Sequence, residues 1–352
     1  MDIPPILNEE IIQKVLGMSA KVDEPRIIGL SREGRDISGY HLGSGNFQIS
    51  LIGGCHSDEP VGPMLLKKLV NYLLHLPEND DLLQHFSWHI VTHVNPDGES
   101  INRQWYDEDM QEAKLSDYLK YVYRELPGDD IEFGFPIEGE FTALRPENQV
   151  VYDFWKEVGK PFDLHASLHG MAWSYGPWFL IDRNWIDRSE LIQHHGKTKV
   201  DELGYTLHDV DRKGEKGFTR INEGFCTRPD SQAMRDHFLQ LDDPEQATKF
   251  HPSSMESVRS FSNDCLTLVS EMPLFTVPKS NFSLAWPSPE LDRWKDQLNH
   301  WKMDLVTNRA NPQNILDQAM QADVRPMPIT DQMILQWTFI TSGIQQVLAD
   351  RV

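Results

Sequence analysis

The spacing of apolar residues predicts short strands that alternate with amphipathic helices. Residues 26–30, 47–54 and 86–94 are short apolar runs of the kind that form strands. Between the last two, the segment PVGPMLLKKLVNYLLHL repeats its apolar residues at helical spacing. A strand, a helix and a second strand form a crossover unit, and such units build parallel or mixed sheets covered on both faces. We therefore expect an α/β fold with a mixed, mostly parallel twisted sheet and helices on both faces.

The same pattern continues toward the C-terminus with less regularity. A helix is predicted at PENQVVYDFWKEVG, followed by strands at PFDLHASLHG and CLTLVSEMP. Between these two strands, residues 183–258 show no clean apolar period, and we expect helix and long loop there. Beyond Ser288 apolar residues recur at steps of three and four, which predicts an amphipathic helix. We expect an enzyme-like domain over residues 1–282, and a helical extension over residues 283–352 packed on it.

Composition and charge narrow the possible partners. The 352 residues include 33 Lys and Arg against 54 Asp and Glu, a net charge of −21 that disfavours binding to nucleic acid or to an anionic membrane. The N-terminal residues MDIPPILNEE lack the basic and apolar regions of a secretory signal. Three scattered cysteines are too few for a disulfide framework. We expect a cytoplasmic protein with no nucleic-acid or membrane partner.

One short motif points to metal chemistry. In GGCHSDEPVG, His56 and Glu59 are three residues apart at the junction between an apolar strand and a helix. An imidazole and a carboxylate from one turn can bind one face of a zinc ion, and a catalytic zinc then needs one further protein ligand. The HxxE pattern also occurs by chance in surface turns, so the pair alone is weak evidence.

Three polar clusters each follow a separate apolar strand, and in an α/β sheet such strand ends converge on the ligand crevice. Asn102 and Arg103 lie in NPDGESINRQW after the third predicted strand, and a donor amide beside a guanidinium suits a carboxylate or an oxyanion. DLHASLHG brings two histidines. Glu271 ends CLTLVSEMP, where a carboxylate is costly unless it is paired or serves as a base.

Taken in order, these motifs resemble the zinc carboxypeptidases of the M14 (funnelin) family. The stretch IGLSREGRDISGYHLGSGNFQISLIGGCHSDEPVG is similar to the family's opening, and NPDG, NRQW, RPEN, DLH and a late strand-ending Glu follow in the family's order. NRQW is most similar to the cytosolic branch. The resemblance covers roughly residues 26–275. Each motif is modest by itself, but the ordered set is specific.

The resemblance implies one Zn²⁺ per chain and a role for each matching residue. His56, Glu59 and His165 would be the zinc ligands, with His165 favoured over His169 because DLH at a strand end resembles the family block. Glu271 would be the general base. The substrate's terminal carboxylate would be held by Asn102 and Arg103.

The chain departs from the family pattern in two places. Only ESI separates NPDG from the NR block, where the family has a longer segment that carries the arginine polarising the scissile carbonyl. That arginine is either missing or replaced by Arg103 or by Arg145 of the RPEN block. The family's substrate-capping tyrosine has no clear counterpart, because Tyr175 comes too early and residues 245–270 contain no Tyr.

The leading hypothesis is a zinc-dependent metallopeptidase that hydrolyses a C-terminal peptide or amide bond with metal-activated water and a Glu general base. One alternative is a small-molecule N-acyl amino acid deacylase resembling aspartoacylase and succinylglutamate desuccinylase, whose third-ligand block is also similar to DLHASLHG. The other is a non-catalytic relative that binds a carboxylate. The expected partner is a peptide or N-acyl amino acid with a free carboxylate, and the C-terminal helices could mediate oligomerisation.

Overall fold

A computed structural model describes residues 9–280 and 284–351 of the chain. The helices are α1 (Glu9–Leu16), α2 (Val61–Leu74), α3 (Asp81–His85), α4 (Pro96–Asn102), α5 (Leu115–Tyr121), α6 (Pro146–Lys156), α7 (Glu190–Glu202), α8 (Ser231–Gln240), α9 (Pro244–Ala247), α10 (Ser254–Arg259), α11 (Pro289–Val306), α12 (Pro312–Gln321) and α13 (Ile329–Asp350). The strands are β1 (Ile27–Leu30), β2 (Asp36–Leu42), β3 (Phe47–Gly53), β4 (Phe86–Val91), β5 (Leu164–Ser174), β6 (Trp178–Ile181), β7 (Arg220–Asn222), β8 (Phe225–Thr227), β9 (Leu266–Thr276) and β10 (Arg325–Pro326). Short 3₁₀ helices occupy Arg183–Arg188 and Glu215–Gly217.

Within the described residues, the ten strands form one mixed sheet. Its order is β1-β2-β4-β3-β5-β9-β6-β8-β7, and β10 pairs with the end of β9. The central strands β4, β3, β5 and β9 are parallel, whereas β2 and β6 pair antiparallel with the two outer members of this group. The predicted mixed α/β fold is therefore confirmed.

Strand β3 explains why both faces of the sheet are covered. All seven of its residues are buried, and successive side chains point to opposite faces. Leu51 joins the hydrophobic cluster that contains the buried residues of α2 and α13, whereas Ile52 joins the cluster that contains those of α6. Burial of both faces along the whole strand is expected for a central strand of a parallel sheet.

Several elements differ from the sequence prediction. The pattern missed β2, and the region 183–258 contains two short strands and several helices as well as loops. The strand predicted over residues 86–94 ends at Val91. Strand β5 runs through both histidines of DLHASLHG and ends only at Ser174. Because β3 ends at Gly53, which pairs with Leu168, the turn after β3 begins at the level of His169.

The C-terminal helix α13 lies directly on the central sheet. A Cβ on Gly343 would come within 2.7 Å of Leu268 Cδ1 and 2.8 Å of Leu164 Cδ1, so the helix backbone rests on β9 and β5. The division at residue 282 stays a prediction, although the buried residues of α13 belong to the same hydrophobic cluster as those of the sheet. No described helix has the length and apolarity needed to cross a membrane.

Candidate metal centre and active site

The turn after β3 and the middle residues of β5 and β9 bring three polar segments together. His56 and Glu59 lie in the turn between β3 and α2, where the Glu59 backbone N–H donates to the His56 carbonyl. Gly54 starts this turn with φ +73°, and a Cβ there would lie 2.6 Å from the His93 ring. Glycine at this position therefore allows the chain to leave β3 and turn back toward the strand ends.

His56, Glu59 and His169 form the cluster that is best suited to a metal ion. His56 Nδ1 lies 2.9 Å from Glu59 Oε1, His169 Nδ1 lies 2.9 Å from Glu59 Oε2, and the two Nδ1 atoms are 3.1 Å apart. Ligand atoms of a tetrahedral zinc ion, at about 2.0–2.1 Å from the metal, are about 3.3 Å apart. Two imidazole nitrogens and a carboxylate at this spacing fit a zinc site with an open fourth position.

Both imidazoles are oriented by groups at their other ring nitrogen. His56 Nε2 lies 3.3 Å from Asp130 Oδ1. His169 Nε2 lies 2.8 Å from Ser167 Oγ and 3.4 Å from Glu132 Oε2. Carboxylates and hydroxyls at this position fix the tautomer that leaves Nδ1 free for a metal, an arrangement common to histidine ligands in proteins.

The electrostatics of the cluster favour positive charge. Burial and Arg124 oppose the charged form of His56, but Glu59 and Asp130 outweigh them and raise its pKa. Burial likewise opposes the charge on His169, but Glu59 and Glu132 raise its pKa to about 9. A site whose carboxylates draw protons onto two buried histidines is also one that stabilises a cation.

Glu271 stands beside this cluster. It pairs in register with His169 on β5, and adjacent paired residues of neighbouring strands point to the same face of a sheet. Burial raises the pKa of Glu271 to about 8, and the Glu59 carboxylate contributes in the same direction. A partly exposed carboxyl group with a raised pKa suits proton transfer near neutral pH.

His165, the ligand expected from the resemblance, lies away from the cluster, and His169 takes that place. On β5, His165 pairs with Ser50, in the middle of β3 and six positions before His56. Four residues of strand, about 13 Å, separate its level from that of His169. The His165 side chain is fully buried, with Nδ1 2.9 Å from Ser50 Oγ and its ring edge-on to Trp155.

The residues expected to hold the substrate carboxylate are occupied by other contacts. The fully buried Asn102 amide donates to Ser57 Oγ and to the carbonyls of Gly98 and Tyr123. Arg103 pairs with Glu99 at 2.8 Å and with Glu108 at 3.1 Å. Both side chains are thus paired within the protein, and neither carboxylate partner of Arg103 belongs to the His56, Glu59 and His169 cluster.

Arg145 is occupied in the same way. Its buried guanidinium lies 2.8 Å from Glu147, and it donates to the Asp129 carbonyl at 3.3 Å. It also lies 3.8 Å from Glu125. The structure therefore brings Glu271 to the cluster, whereas Asn102, Arg103 and Arg145 contact other residues of the surrounding loops, and their substrate-binding role stays a prediction.

Arg124 is the cation that the sequence reasoning missed. It forms ion pairs with Glu59 and, at 3.2 Å, with Asp58, and 42% of its side chain is exposed. The residues on both sides of it are fixed, because the Tyr123 carbonyl accepts from Asn102 and the Glu125 carboxylate accepts from Asn95. Helix α5 ends at Tyr121 and leaves Arg124 in the loop that follows, where no sequence motif marks it.

Asp130 and Glu132 were also missed, since they lie in an irregular stretch without a recognisable motif. Only their closeness to the second nitrogens of His56 and His169 identifies them.

Known proteins similar to this chain include zinc carboxypeptidases. Residues 9–239 match the family model of zinc carboxypeptidases, peptidase family M14. Carboxypeptidase SOL1 of Arabidopsis thaliana is 30% identical over 125 residues, which are 34% of this chain and 22% of that protein. The chain thus matches only about a fifth of the length of this curated relative.

Solved structures similar to this chain include two bacterial metallo-carboxypeptidases. The one from Burkholderia cenocepacia is 14% identical, with 98% of this chain and 70% of that chain covered and a TM-score of 0.47. The one from Pseudomonas aeruginosa, in complex with (2-guanidinoethylmercapto)succinic acid, is 15% identical, with 97% and 68% covered and a TM-score of 0.46. Because the family model spans well over half of its residues, the chain belongs to the M14 zinc carboxypeptidase family.

Proposed function

We propose that this protein is a zinc-dependent metallopeptidase that hydrolyses a C-terminal peptide or amide bond, with Glu271 as its general base. The observation that carries the proposal is the convergence of two imidazole Nδ1 atoms and the Glu59 carboxylate within 3.1 Å of one another, directly beside a partly exposed glutamate. Membership of the zinc carboxypeptidase family supports the same reaction class.

His56, Glu59 and His169 would hold one Zn²⁺ per chain. When bound, the ion supplies Lewis-acid chemistry, polarising a carbonyl and lowering the pKa of water from about 16 toward about 7. Asp130 and Glu132 hold the two imidazoles in the tautomer that this role requires. His169 replaces His165 in the proposed ligand set because only His169 reaches the cluster.

Glu271 is placed to move protons. Its carboxylate takes a proton from the attacking water and later delivers it to the leaving amine, as a general base and then a general acid. Its position on β9, next to His169, brings it to the same level as the proposed ligands.

Arg124 is placed to stabilise the oxyanion that develops on the scissile carbonyl. It already contacts Glu59, one of the proposed ligands, so its guanidinium lies at the edge of the reacting centre. Hydrogen bonds to Tyr123 and Glu125 fix its segment in advance, and fixed donors are those that contribute most to transition-state stabilisation. Arg124 would thereby fill the role that the sequence left open between Arg103 and Arg145.

The test combines zinc content with hydrolysis of a panel of blocked dipeptides and N-acyl amino acids. The wild-type protein is expected to contain about one zinc per chain and to hydrolyse blocked dipeptides. His169→Gln should lose both zinc and activity. Glu271→Gln should keep its zinc but lose about 10²–10⁴-fold in kcat, the usual contribution of a general base.

The matched control is His165→Gln, confirmed as folded by circular dichroism, which should keep its zinc. Loss of zinc in folded His165→Gln but not in His169→Gln would contradict the proposed ligand set. Hydrolysis of N-acyl amino acids alone would favour the deacylase, and zinc binding without any hydrolysis would favour the non-catalytic relative.

A further inference from the structure

Arg212 differs from the other arginines around the site. It lies in the loop between α7 and β7, and its guanidinium carbon is 4.5 Å from the ring centroid of Phe218, 4.8 Å from Trp286 and 6.0 Å from Trp178. Stacking on aromatic faces holds a guanidinium in place and leaves its N–H edge available in the plane of the group. That edge is the part that binds a carboxylate with two parallel hydrogen bonds.

No carboxylate among the described residues lies within ion-pair distance of Arg212. By contrast, Arg103, Arg124 and Arg145 each pair with two or more acidic side chains. Glu215 is near enough to raise the pKa of Arg212, but its carboxylate accepts from the Trp286 indole N–H. Arg212 is therefore the arginine of this group whose guanidinium has no ion-pair partner among the described residues.

Arg212 is also close to the proposed catalytic residues. Trp178 pairs in register with Glu271, and Glu271 pairs with His169, so the three residues form one row across β6, β9 and β5. Neighbouring strands are about 4.8 Å apart. The Arg212 side chain, packed over Trp178, is thus about one strand beyond the proposed base, a distance that a single substrate residue can span.

Charged groups of both signs surround Arg212. Burial is the main cause that lowers the pKa of Arg212, whereas Glu215 and Glu271 act in the opposite direction. Burial also lowers the pKa of Lys216, and Arg212 adds to that effect. Binding of an anion would therefore depend on the in-plane N–H edge of Arg212 and not on a net positive charge around it.

We propose that Arg212, held by Trp178, Phe218 and Trp286, binds a carboxylate of the terminal residue that the enzyme releases. This inference rests on the proposed peptidase function and assigns the anchoring role that Arg103 does not fill. The carboxylate is either the α-carboxylate of the terminal residue or a side-chain carboxylate of an acidic one. The chemistry of recognition is the same for both, and the substrates used in the test distinguish them.

The experiment measures steady-state kinetics of wild type, Arg212→Gln and Arg212→Lys. The substrates are N-benzoyl-Gly-Phe and N-benzoyl-Gly-Glu, each as the free acid and as the C-terminal amide, and N-benzoyl-Gly-Gln. Arg212→Gln should raise KM at least tenfold while kcat changes much less, and Arg212→Lys should recover only part of the loss. Arg309→Gln, in the exposed turn between α11 and α12, is the matched control and should behave as wild type.

The carboxylate that Arg212 binds is identified by non-additivity between the Arg212→Gln substitution and removal of that carboxylate from the substrate. If Arg212 binds the α-carboxylate, amidation will weaken binding to wild type but not to Arg212→Gln. If Arg212 binds a side-chain carboxylate, replacing Glu by Gln in the substrate will weaken binding to wild type but not to Arg212→Gln. An equal rise in KM of Arg212→Gln for every substrate, with or without a carboxylate, would overturn the proposal.

Failure of the proposed peptidase function is distinguished from failure of the Arg212 subsite by the activity of the wild-type protein. If wild type hydrolyses none of these compounds, the proposed function fails, and the same compounds then serve as ligands for the zinc-loaded protein in calorimetric titrations. At least tenfold weaker binding of the free acids to Arg212→Gln than to wild type would still support the carboxylate subsite. Equal binding to the two proteins would reject it.

Discussion

At the scale of single residues, the role of each arginine is determined by its acidic neighbours. Arg103 has the chemistry expected of a carboxylate anchor, but Glu99 and Glu108 neutralise it. Arg124 has acidic partners too, yet one of them is Glu59, so the pairing places the guanidinium at the proposed metal site. Arg212 has aromatic neighbours in place of carboxylates. Residue type alone could not separate these three roles.

The proposed role of Arg124 leads to a prediction about catalysis. Arg124→Gln should lower kcat by about 10²–10³-fold, as expected when a donor to the developing oxyanion is removed. KM should change little, because this interaction is made mainly in the transition state. Zinc should be retained, since the three proposed ligands are intact. Stopped assays of blocked dipeptide hydrolysis, with zinc measured on the same samples, provide the test.

Arg103→Gln is the matched control for Arg124→Gln. Both arginines have part of their side chain exposed and both pair with two acidic residues, but only Arg124 contacts a proposed ligand. Arg103→Gln should therefore keep nearly wild-type kinetics. A large loss of kcat in Arg103→Gln together with wild-type kinetics in Arg124→Gln would restore the assignment that the sequence suggested.

At the scale of secondary-structure elements, the end of a strand decides which histidine reaches the site. His165 and His169 lie four residues apart, so they point to the same face and alternation cannot choose between them. The choice depends on where β3 ends along β5, since Gly53 pairs with Leu168 and the following turn begins beside His169. Boundaries and register are the least certain part of a prediction from sequence. The order of the central elements, the loop that carries His56 and Glu59, and the position of Glu271 followed from the apolar pattern and motifs. The contacts of Arg124 and Glu132 did not, because they depend on the path of irregular loops.

Close contact between α2 and β5 offers a test at this scale. A Cβ on Gly62, in the first turn of α2, would lie 2.6 Å from the Leu168 carbonyl oxygen and 2.7 Å from Leu168 Cβ. Gly62→Ala should push the helix away from the strand and cost about 1–3 kcal/mol, the usual range for overpacking. It should also weaken zinc binding, because Glu59 precedes α2 and His169 follows Leu168.

Urea denaturation and competition with a zinc chelator measure the two effects of Gly62→Ala. Gly17→Ala is the control, since its new Cβ would meet atoms no nearer than 3.4 Å. If Gly62→Ala matches wild type in both stability and zinc affinity, the helix and strand are not in rigid contact at this point.

At the scale of the whole molecule, the C-terminal helix α13 packs on the central sheet and also contacts the proposed metal site. The Gln336 side chain of α13 is fully buried and donates to the His169 carbonyl and to Ser270 Oγ, both at 3.2 Å. The helix therefore contacts the backbone of a proposed metal ligand from beneath the sheet. The sequence predicted a helical extension packed on the domain, but not that its last helix lies on the central sheet, because packing between distant segments leaves no local pattern.

Removal of α13 should for this reason prevent the rest of the chain from folding. Leu335, Phe339, Ile340 and Ile344 are fully buried, and burial of each such side chain contributes about 1.5–3 kcal/mol. Together they approach the whole stability of a typical domain, about 5–15 kcal/mol. A fragment ending at residue 326 should lack a cooperative thermal transition in circular dichroism. Phe339→Ala in the full chain should cost about 3–5 kcal/mol, whereas Met320→Ala, at an exposed position on α12, should cost little. A stable, zinc-binding fragment would instead show that the rest of the chain folds without α13.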